Sequence, residues 1–276
     1  MSNPKYLRPS RETSSYAQYM KEFYDREVTT LDVAQHIVAG PDYATLQRMA
    51  GSTVDFILNE RMRRGFTRQP SELKVLEIGC GVGRLMAGFR SRGVVGIDGI
   101  DINEKMVEYA SQLPELSESR FFVSSGDDLG GAPHQHYDLI YSNLVFQHIC
   151  NRHVRMKLLE QAHKCLNENG VIVVQMHYYP TTRRETIPRG HAYWTDYQVS
   201  TLTSSCADVF LTPDALPDAL QDFRAFFADV GFTFVEFPDI AQHVEEHPNY
   251  KGCPWDHVFI SASRQPNLHK VIYRPE

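Results

Sequence analysis

From residue 73 onward, short runs rich in β-branched and other apolar residues alternate with segments of helical period. Such runs predict strands, and apolar residues that recur every three to four positions between them predict amphipathic helices. Regular alternation of the two favours an α/β fold, with a mostly parallel sheet covered by helices on both faces. The seven predicted strands cover 74–78, 94–101, 120–123, 137–142, 171–176, 233–237 and 256–262.

The helical segments show their buried faces directly in the sequence. One apolar face contains Val154, Leu158, Ala162 and Cys165, and another ends at Gly231, a residue typical of helix C-termini. Between the last two predicted strands there is no clear crossover helix. We therefore expect the last strand to pair antiparallel to its neighbour.

Residues 1–72 precede the strand pattern and are predicted to form an N-terminal arm and helical cap. Tyr16 and Tyr19 begin a stripe of helical period, and a later helix is expected to start at Ser52 or Thr53. Residues 73–276 form the second domain, interrupted at about 177–213 by a segment rich in aromatic residues, arginine and proline. Because this segment follows a strand, we expect it to lie over a ligand site.

Composition limits the classes of function. The chain has 276 residues, 42% hydrophobic, and a formal charge of −6, which is ordinary for a globular protein and unlike a nucleic-acid-binding one. Only short basic clusters occur, such as Arg61, Arg63 and Arg64. No segment approaches the ~20 apolar residues of a membrane helix. Five scattered cysteines without a C-x-x-C pair favour a reducing compartment, so we expect a cytoplasmic protein without a metal site.

A glycine-rich turn follows the first predicted strand and marks the candidate site. Gly79, Gly81 and Gly83 stand at alternate positions, where absence of a Cβ lets the chain bend tightly and a ligand approach the backbone. The next strand ends at Asp101, whose carboxylate is suitably placed to accept ribose hydroxyls. Asp98 is the competing residue. Asp101 is preferred because Asn103 can cap the following helix, which places Asp101 at the strand's carboxyl edge.

Four segments, VLEIGCGVGRL, GIDINEKMVEYA, SSGDDL and YDLIYSNLVFQHI, resemble in order and spacing the successive motifs of class I S-adenosylmethionine-dependent methyltransferases. The resemblance covers roughly 73–262. It implies a Rossmann-like fold, S-adenosylmethionine as cofactor, and methyl transfer to a small molecule. Two departures leave the register open by a residue or two: GID occurs twice at 96–101, and two acids stand in the third motif.

Carried over by position, the resemblance assigns three groups of cofactor contacts. The methionine part would lie against Glu77, Gly79, Cys80, Gly81, Gly83 and Arg84, with Asn143 and Leu144 at the end of the fourth strand. Asp101 would hold the ribose. The adenine would lie beside Ile102, Met106, Gly126, Asp127 and Asp128.

The residues that would bind the methyl acceptor are less clearly indicated by the sequence. His148 is the candidate general base, and the alternative is that it only positions its loop. Substrate contacts are expected from Tyr16 and Tyr19 in the arm and from His177, Tyr178, Tyr179, Arg183, His191 and Trp194 around the insertion. Arg183, with Arg184 and Arg189, indicates an anionic acceptor, although a solvated arginine run explains the same residues.

The fourth motif reads Ser142-Asn143-Leu144-Val145, without the Asn/Asp-Pro-Pro-aromatic sequence that accompanies methylation of base amino groups. Transfer to an oxygen of a small molecule is therefore the preferred function, with no nucleic acid or membrane as partner; a homodimer is left open. One alternative is a non-catalytic sensor or partner subunit that binds the cofactor or its product. Another is an NAD(P)-dependent oxidoreductase, disfavoured because the glycine spacing is G-x-G-x-G rather than G-x-G-x-x-G.

Overall fold

Three helices precede the first strand in the computed structural model, which describes residues 13–39, 43–65, 68–149, 152–179, 208–209, 223–238 and 257–265. They are α1 (Thr13–Glu27), α2 (Leu31–Ala39) and α3 (Tyr43–Arg63). The strands are β1 (Lys74–Ile78), β2 (Gly96–Asp101), β3 (Phe121–Val123), β4 (Tyr137–Ser142), β5 (Leu166–Tyr179), β6 (Asp208–Val209), β7 (Phe234–Glu236) and β8 (His257–Ser263). Between them lie α4 (Arg84–Arg90), α5 (Glu104–Ser111), α6 (Arg152–Cys165) and the helical residues 223–229.

The main sheet has the strand order β3-β2-β1-β4-β5-β8-β7. Neighbours from β3 to β5 are parallel, whereas β8 runs antiparallel to both β5 and β7. The predicted seven-stranded, mostly parallel sheet with an antiparallel last strand is confirmed. From β1 the chain adds β2 and β3 on one side of the sheet, and then continues with β4 and β5 on the other side of β1. Ligands of open α/β sheets bind beyond the carboxyl ends of the strands at such a switch point in strand order.

Helices cover both faces of the sheet. On one face, α1, α6 and residues 223–229 pack on alternate side chains of the central strands, with Phe23, Leu159 and Phe227 buried. On the other face, α3 and α4 pack on the intervening side chains, with Ile57 and Phe89 buried. This two-faced burial explains why the central strands read as nearly continuous apolar runs.

Two elements differ from the sequence prediction by more than one or two residues. The expected helix start at Ser52 or Thr53 is wrong, because α3 is continuous from Tyr43 to Arg63 and both residues lie in its interior. Packing of Val54 and Ile57 into the core stabilises this helix despite their low intrinsic propensity. The fifth strand is also longer than predicted: it starts directly after α6 and continues to Tyr179, where it pairs with β6.

The two N-terminal helices are tied to the turn between β2 and α5. Lys21 donates to the Ile102 carbonyl at 3.1 Å, and Lys105 donates to the Val28 carbonyl at 3.0 Å. Asn103 donates to Asp25 at 2.8 Å. These bonds place α1 and the residue after it beside the carboxyl end of β2, and α2 packs next to them through Ala34, which is buried with Met106. Among the described helices, none is long and apolar enough to cross a membrane.

Candidate functional site

The glycine turn after β1 has the backbone conformation that the sequence predicts. Gly79, Gly81 and Gly83 have φ values of 76°, 52° and 81°, which residues other than glycine rarely adopt. A Cβ at Gly79 would lie 2.2 Å from Cγ2 of Val145, and one at Gly81 would lie 2.8 Å from Cγ2 of Val38. Both positions therefore require glycine, for conformation and for space.

Gly83 differs from the other two glycines. It is the N-cap of α4, and a Cβ there would lie 2.8 Å from Cδ1 of Leu116. It is not among the described residues that line the cavity in front of the turn. The structure thus gives Gly83 a packing role.

Asp101, at the end of β2, holds the glycine turn in place. Its Oδ2 accepts from the Gly81 amide at 2.8 Å and its Oδ1 from the Asn103 amide at 3.0 Å. Burial raises the pKa of Asp101, and the backbone hydrogen bonds and the charge of Lys21 only partly oppose this. Asp101 lines the cavity, where a ribose hydroxyl would supply a hydrogen bond that burial denies to the carboxylate.

Asp98 lies away from the cavity. Its Oδ2 accepts from Nη2 of Arg120 at 2.6 Å and from the Tyr137 hydroxyl at 2.9 Å, and the residue is 7% exposed. With its carboxylate committed to these two partners, Asp98 is a structural residue. This geometry supports Asp101 as the ribose ligand.

A cavity of about 340 Å³ opens at the carboxyl ends of β1, β2 and β4. Thirteen of the residues assigned from the sequence meet in its wall. They come from β1 and the glycine turn, the starts of α4 and α5, the end of β2, the loop after β3 and the segment after β4: Glu77, Gly79, Cys80, Gly81, Arg84, Asp101, Ile102, Met106, Gly126, Asp128, Asn143, Leu144 and His148.

The two acids of the third motif separate in space. Asp128 lines the cavity; burial alone would raise the pKa of its carboxyl, but hydrogen bonds from Ser125 and Gly130 bring it below its ordinary value. Asp127 is absent from the described cavity wall, and its Oδ2 accepts from Nζ of Lys157 at 2.8 Å. The structure therefore favours Asp128 over Asp127 as a cofactor contact.

The segment after β4 is held in an unusual conformation. Leu144 has a φ of 60°, and its amide donates to Oε1 of the buried Gln175 at 2.8 Å. His148 ends the short 3₁₀ helix Phe146–His148 and reaches the cavity wall. A non-glycine residue in the left-handed region persists only where its surroundings enforce it, and such residues cluster at functional sites.

The predicted substrate contacts are not brought together by the described part of the chain. Tyr19 packs against the core cluster beside α1 instead of lining the cavity. Tyr16 lies in α1, while His177, Tyr178 and Tyr179 extend β5, but their side chains are outside the described set. Arg183, His191 and Trp194 also lie outside the described residues.

Sequence reasoning expected Tyr16 and Tyr19 of α1 at the site, but it missed the residues of α1 and α2 that line the wall. Met20, Tyr24, His36, Ile37 and Val38 all line the cavity. The signal for Met20 and Tyr24 was present, since they continue the apolar stripe of α1. An apolar stripe shows that a helix face points inward, but it does not show whether that face packs against the core or lines a cavity.

A nucleoside cofactor fits this wall on two observations. Gly79 and Gly81 line the cavity without a side chain, so the backbone itself forms this part of the wall and a ligand can lie against it. Beside them, Asp101 lines the same wall at the end of β2, where a carboxylate can accept hydrogen bonds from ribose hydroxyls.

A methyltransferase-domain family model matches residues 51–223, more than half of the chain. The chain therefore belongs to this methyltransferase family, and S-adenosylmethionine is its cofactor. A Haemophilus influenzae protein described as uncharacterized is 31% identical over 114 residues. That match covers 40% of this chain and spans only 44% of the relative's length.

Solved methyltransferases share the fold. Geranyl diphosphate C-methyltransferase from Streptomyces coelicolor A3(2) gives a TM-score of 0.57 at 12% identity, covering 91% of this chain and 98% of that one. Magnesium protoporphyrin IX methyltransferase from Synechocystis PCC 6803, with bound S-adenosylhomocysteine, gives 0.52 at 14% identity, covering 91% and 100%. These similarities show the fold alone.

Replacing Asp101 with alanine is expected to weaken S-adenosylhomocysteine binding by about 1–3 kcal/mol, the scale of a hydrogen bond to a charged group. The substitution also removes the acceptor of the Gly81 amide. Isothermal titration calorimetry measures the change. Asp98→Ala is the matched control: it should lower the melting temperature but keep cofactor affinity. The opposite pattern would transfer the ribose role to Asp98.

Proposed function

We propose that this enzyme transfers the methyl group of S-adenosylmethionine to an oxygen atom of a small, largely apolar molecule. The observation that carries the proposal is the enclosure of the site by α1 and α2. A Cβ at Gly81 would lie 2.8 Å from Val38 of α2, and one at Gly126 would lie 2.9 Å from Cβ of Ala17 in α1. With α2 against the glycine turn and α1 against the loop after β3, a cavity of about 340 Å³ favours a small acceptor over a nucleic acid.

The character of the wall supports the acceptor class. The side chains from α1, α2, α6 and the segment after β4 that the family resemblance leaves unassigned are mostly apolar: Met20, Tyr24, Ile37, Val38, Val145, Ile149 and Leu158. Such a wall favours an acceptor with an apolar body, because burying an unpaired polar group costs free energy. The arginine cluster at 183–189, which suggested an anionic acceptor, is outside the described residues.

The proposed chemistry makes modest demands on the protein. The bound cofactor supplies an activated methyl group on a sulfonium, so in-line alignment and exclusion of water supply most of the acceleration. The backbone of the glycine turn and Asp101 would orient the cofactor. His148, at the cavity wall, would accept the proton of a hydroxyl acceptor, whereas a carboxylate acceptor needs no base.

A transfer assay with isotopically labelled S-adenosylmethionine tests the proposal. The panel should contain apolar phenols, apolar carboxylic acids, amines of matched shape and short oligonucleotides. We expect turnover on the phenols or carboxylic acids. Turnover confined to amines or oligonucleotides would refute the oxygen or small-molecule assignment, and tight cofactor binding without turnover on any acceptor would favour the sensor.

A substitution on α2 tests whether the apolar wall binds the acceptor. Ile37→Glu is expected to raise KM for an apolar acceptor by about tenfold or more, since a carboxylate would enter the apolar wall. Leu31→Glu is the matched control, because Leu31 is 43% exposed on the same helix. Equal changes in KM in both variants would show that the wall near Ile37 does not contact the acceptor.

A further inference from the structure

A buried tyrosine and a buried glutamate face each other across two central strands at the cavity. Glu77 of β1 and Tyr141 of β4 are paired in register, and they are 3% and 0% exposed. The Tyr141 hydroxyl donates to Oε2 of Glu77 at 2.8 Å. The Tyr141 ring stacks on Phe89, with centroids 4.7 Å apart and planes at 27°. Tyr141 is therefore fixed in position, and its hydroxyl orients the glutamate.

Several groups surround the Glu77 carboxyl. Arg84 and the Met86 amide of α4 favour its charged form, as does Tyr141, whereas Asp101 of β2 disfavours it. Cys80, in the turn, is also buried nearby, and its thiol has a pKa well above its usual value. Burial is the strongest influence and raises the pKa of Glu77 to about 8. Without a ligand, the carboxyl is therefore mostly protonated at pH 7.

A cationic group in the cavity would reverse this preference. Glu77 lines the cavity beside Gly79, where the resemblance places the methionine part of the cofactor. The ammonium of that part would stabilise the carboxylate, and the hydroxyl of Tyr141 would keep its Oε2 engaged and the group oriented.

We propose that Tyr141 is a positioning residue for the cofactor, and that it holds Glu77 so that binding of the amino-acid part releases the Glu77 proton to solvent. This proposal rests on the cofactor placement described above. The carboxyl gives up one proton, the resulting carboxylate pairs with the ligand ammonium, and no covalent bond changes. Tyr141 acts through Glu77 and has no proposed contact with the acceptor.

The sign of the pH dependence follows from linkage. The bound state favours the carboxylate, so the pKa of Glu77 falls on binding, and affinity is lost as pH drops below its free value of about 8. Between pH 8 and pH 6 the affinity for S-adenosylhomocysteine should fall by roughly tenfold per pH unit at most. 5′-Methylthioadenosine has the same adenosine and thioether but no ammonium. The affinity for 5′-methylthioadenosine should stay nearly constant. Because this ligand keeps the ribose, it is also the control for any titration of Asp101.

Calorimetric titration of the full chain with both ligands from pH 6 to 8.5 tests the proposal. For the wild type at pH 7, buffers of different ionisation enthalpy should show release of close to one proton with S-adenosylhomocysteine and almost none with 5′-methylthioadenosine. In Tyr141→Phe, which keeps the ring stacking, S-adenosylhomocysteine should bind about tenfold more weakly at pH 7.5, with its pH profile moved upward. Binding of 5′-methylthioadenosine should change less than about twofold.

Tyr137→Phe is the matched control. Tyr137 is on the same strand, 1% exposed, and donates at 2.9 Å to a carboxylate, Asp98, outside the cavity wall. This variant should lose stability and keep both affinities and the pH profile. Equal weakening of both ligands in Tyr141→Phe would reduce Tyr141 to a structural residue. A pH-independent affinity of the wild type would overturn the proton release, whereas no binding of S-adenosylhomocysteine by the wild type would refute the cofactor placement itself.

Discussion

Replacement of His148 by alanine is expected to lower kcat for a hydroxyl acceptor by about 10²–10⁴-fold, the usual contribution of a general base. His148 lies at the cavity wall after β4, at the end of the 3₁₀ helix Phe146–His148. The Kd for S-adenosylhomocysteine should change little, because His148 is not among the assigned cofactor contacts. Single-turnover methyl transfer and calorimetry on the same preparation measure the two quantities.

His36→Ala is the matched control for His148. His36 is the second imidazole among the described residues of the cavity wall, but it belongs to α2. If His148 is the base, His36→Ala should leave kcat within about tenfold, and added imidazole should partly restore His148→Ala. Loss of cofactor affinity in His148→Ala would instead show that this residue positions the loop. A large loss of kcat only in His36→Ala would move the base to α2.

Replacement of Arg64 by methionine is expected to destabilise the protein by about 2–4 kcal/mol, because several buried acceptors would lose their donor. Arg64, the residue directly after α3, is fully buried. Its Nε donates to the Ser261 hydroxyl at 2.7 Å, Nη1 to the Ser263 hydroxyl at 2.8 Å, and Nη2 to the Ser261 carbonyl. Burial lowers the pKa of Arg64 to about 10, so it stays charged at neutral pH. Urea unfolding measures the loss.

Arg92→Met is the control, because it removes an exposed ion pair. The Arg92 side chain is 29% exposed and pairs at 2.6 Å with Asp55, which is 55% exposed. Exposed ion pairs contribute roughly 0–1 kcal/mol, so this variant should lose about 1 kcal/mol or less. Equal losses in the two variants would mean that the contacts of Arg64 with β8 do not stabilise the fold.

The sequence by itself determined the sheet and the glycine turn. The spans 74–78 and 137–142 match β1 and β4 residue for residue, because strands buried on both faces are continuous apolar runs with sharp ends. Gly79 and Gly81 have a purely local requirement, a positive φ within a tight turn, and the sequence shows it directly. Order and spacing of four motifs then identified the methyltransferase family.

Interactions between distant parts of the chain were decided only by the tertiary structure. In sequence, Arg61, Arg63 and Arg64 form a basic cluster, yet Arg61 is 3% exposed and Arg64 is buried against β8. Asp98 and Asp101 are three residues apart, but the Arg120 and Tyr137 contacts of Asp98 became visible only after folding.

The composition of the cavity wall was also not predictable from the sequence alone. Periodicity places Met20 and Ile37 on the apolar faces of helices, but it does not say which part of the protein each face meets. The glycine turn and Asp101 were determined by local sequence because a few adjacent backbone dihedrals form them. The remaining apolar part of the wall was decided by packing of α2 against that turn and of α1 against the loop after β3, because it is built from residues far apart in the chain.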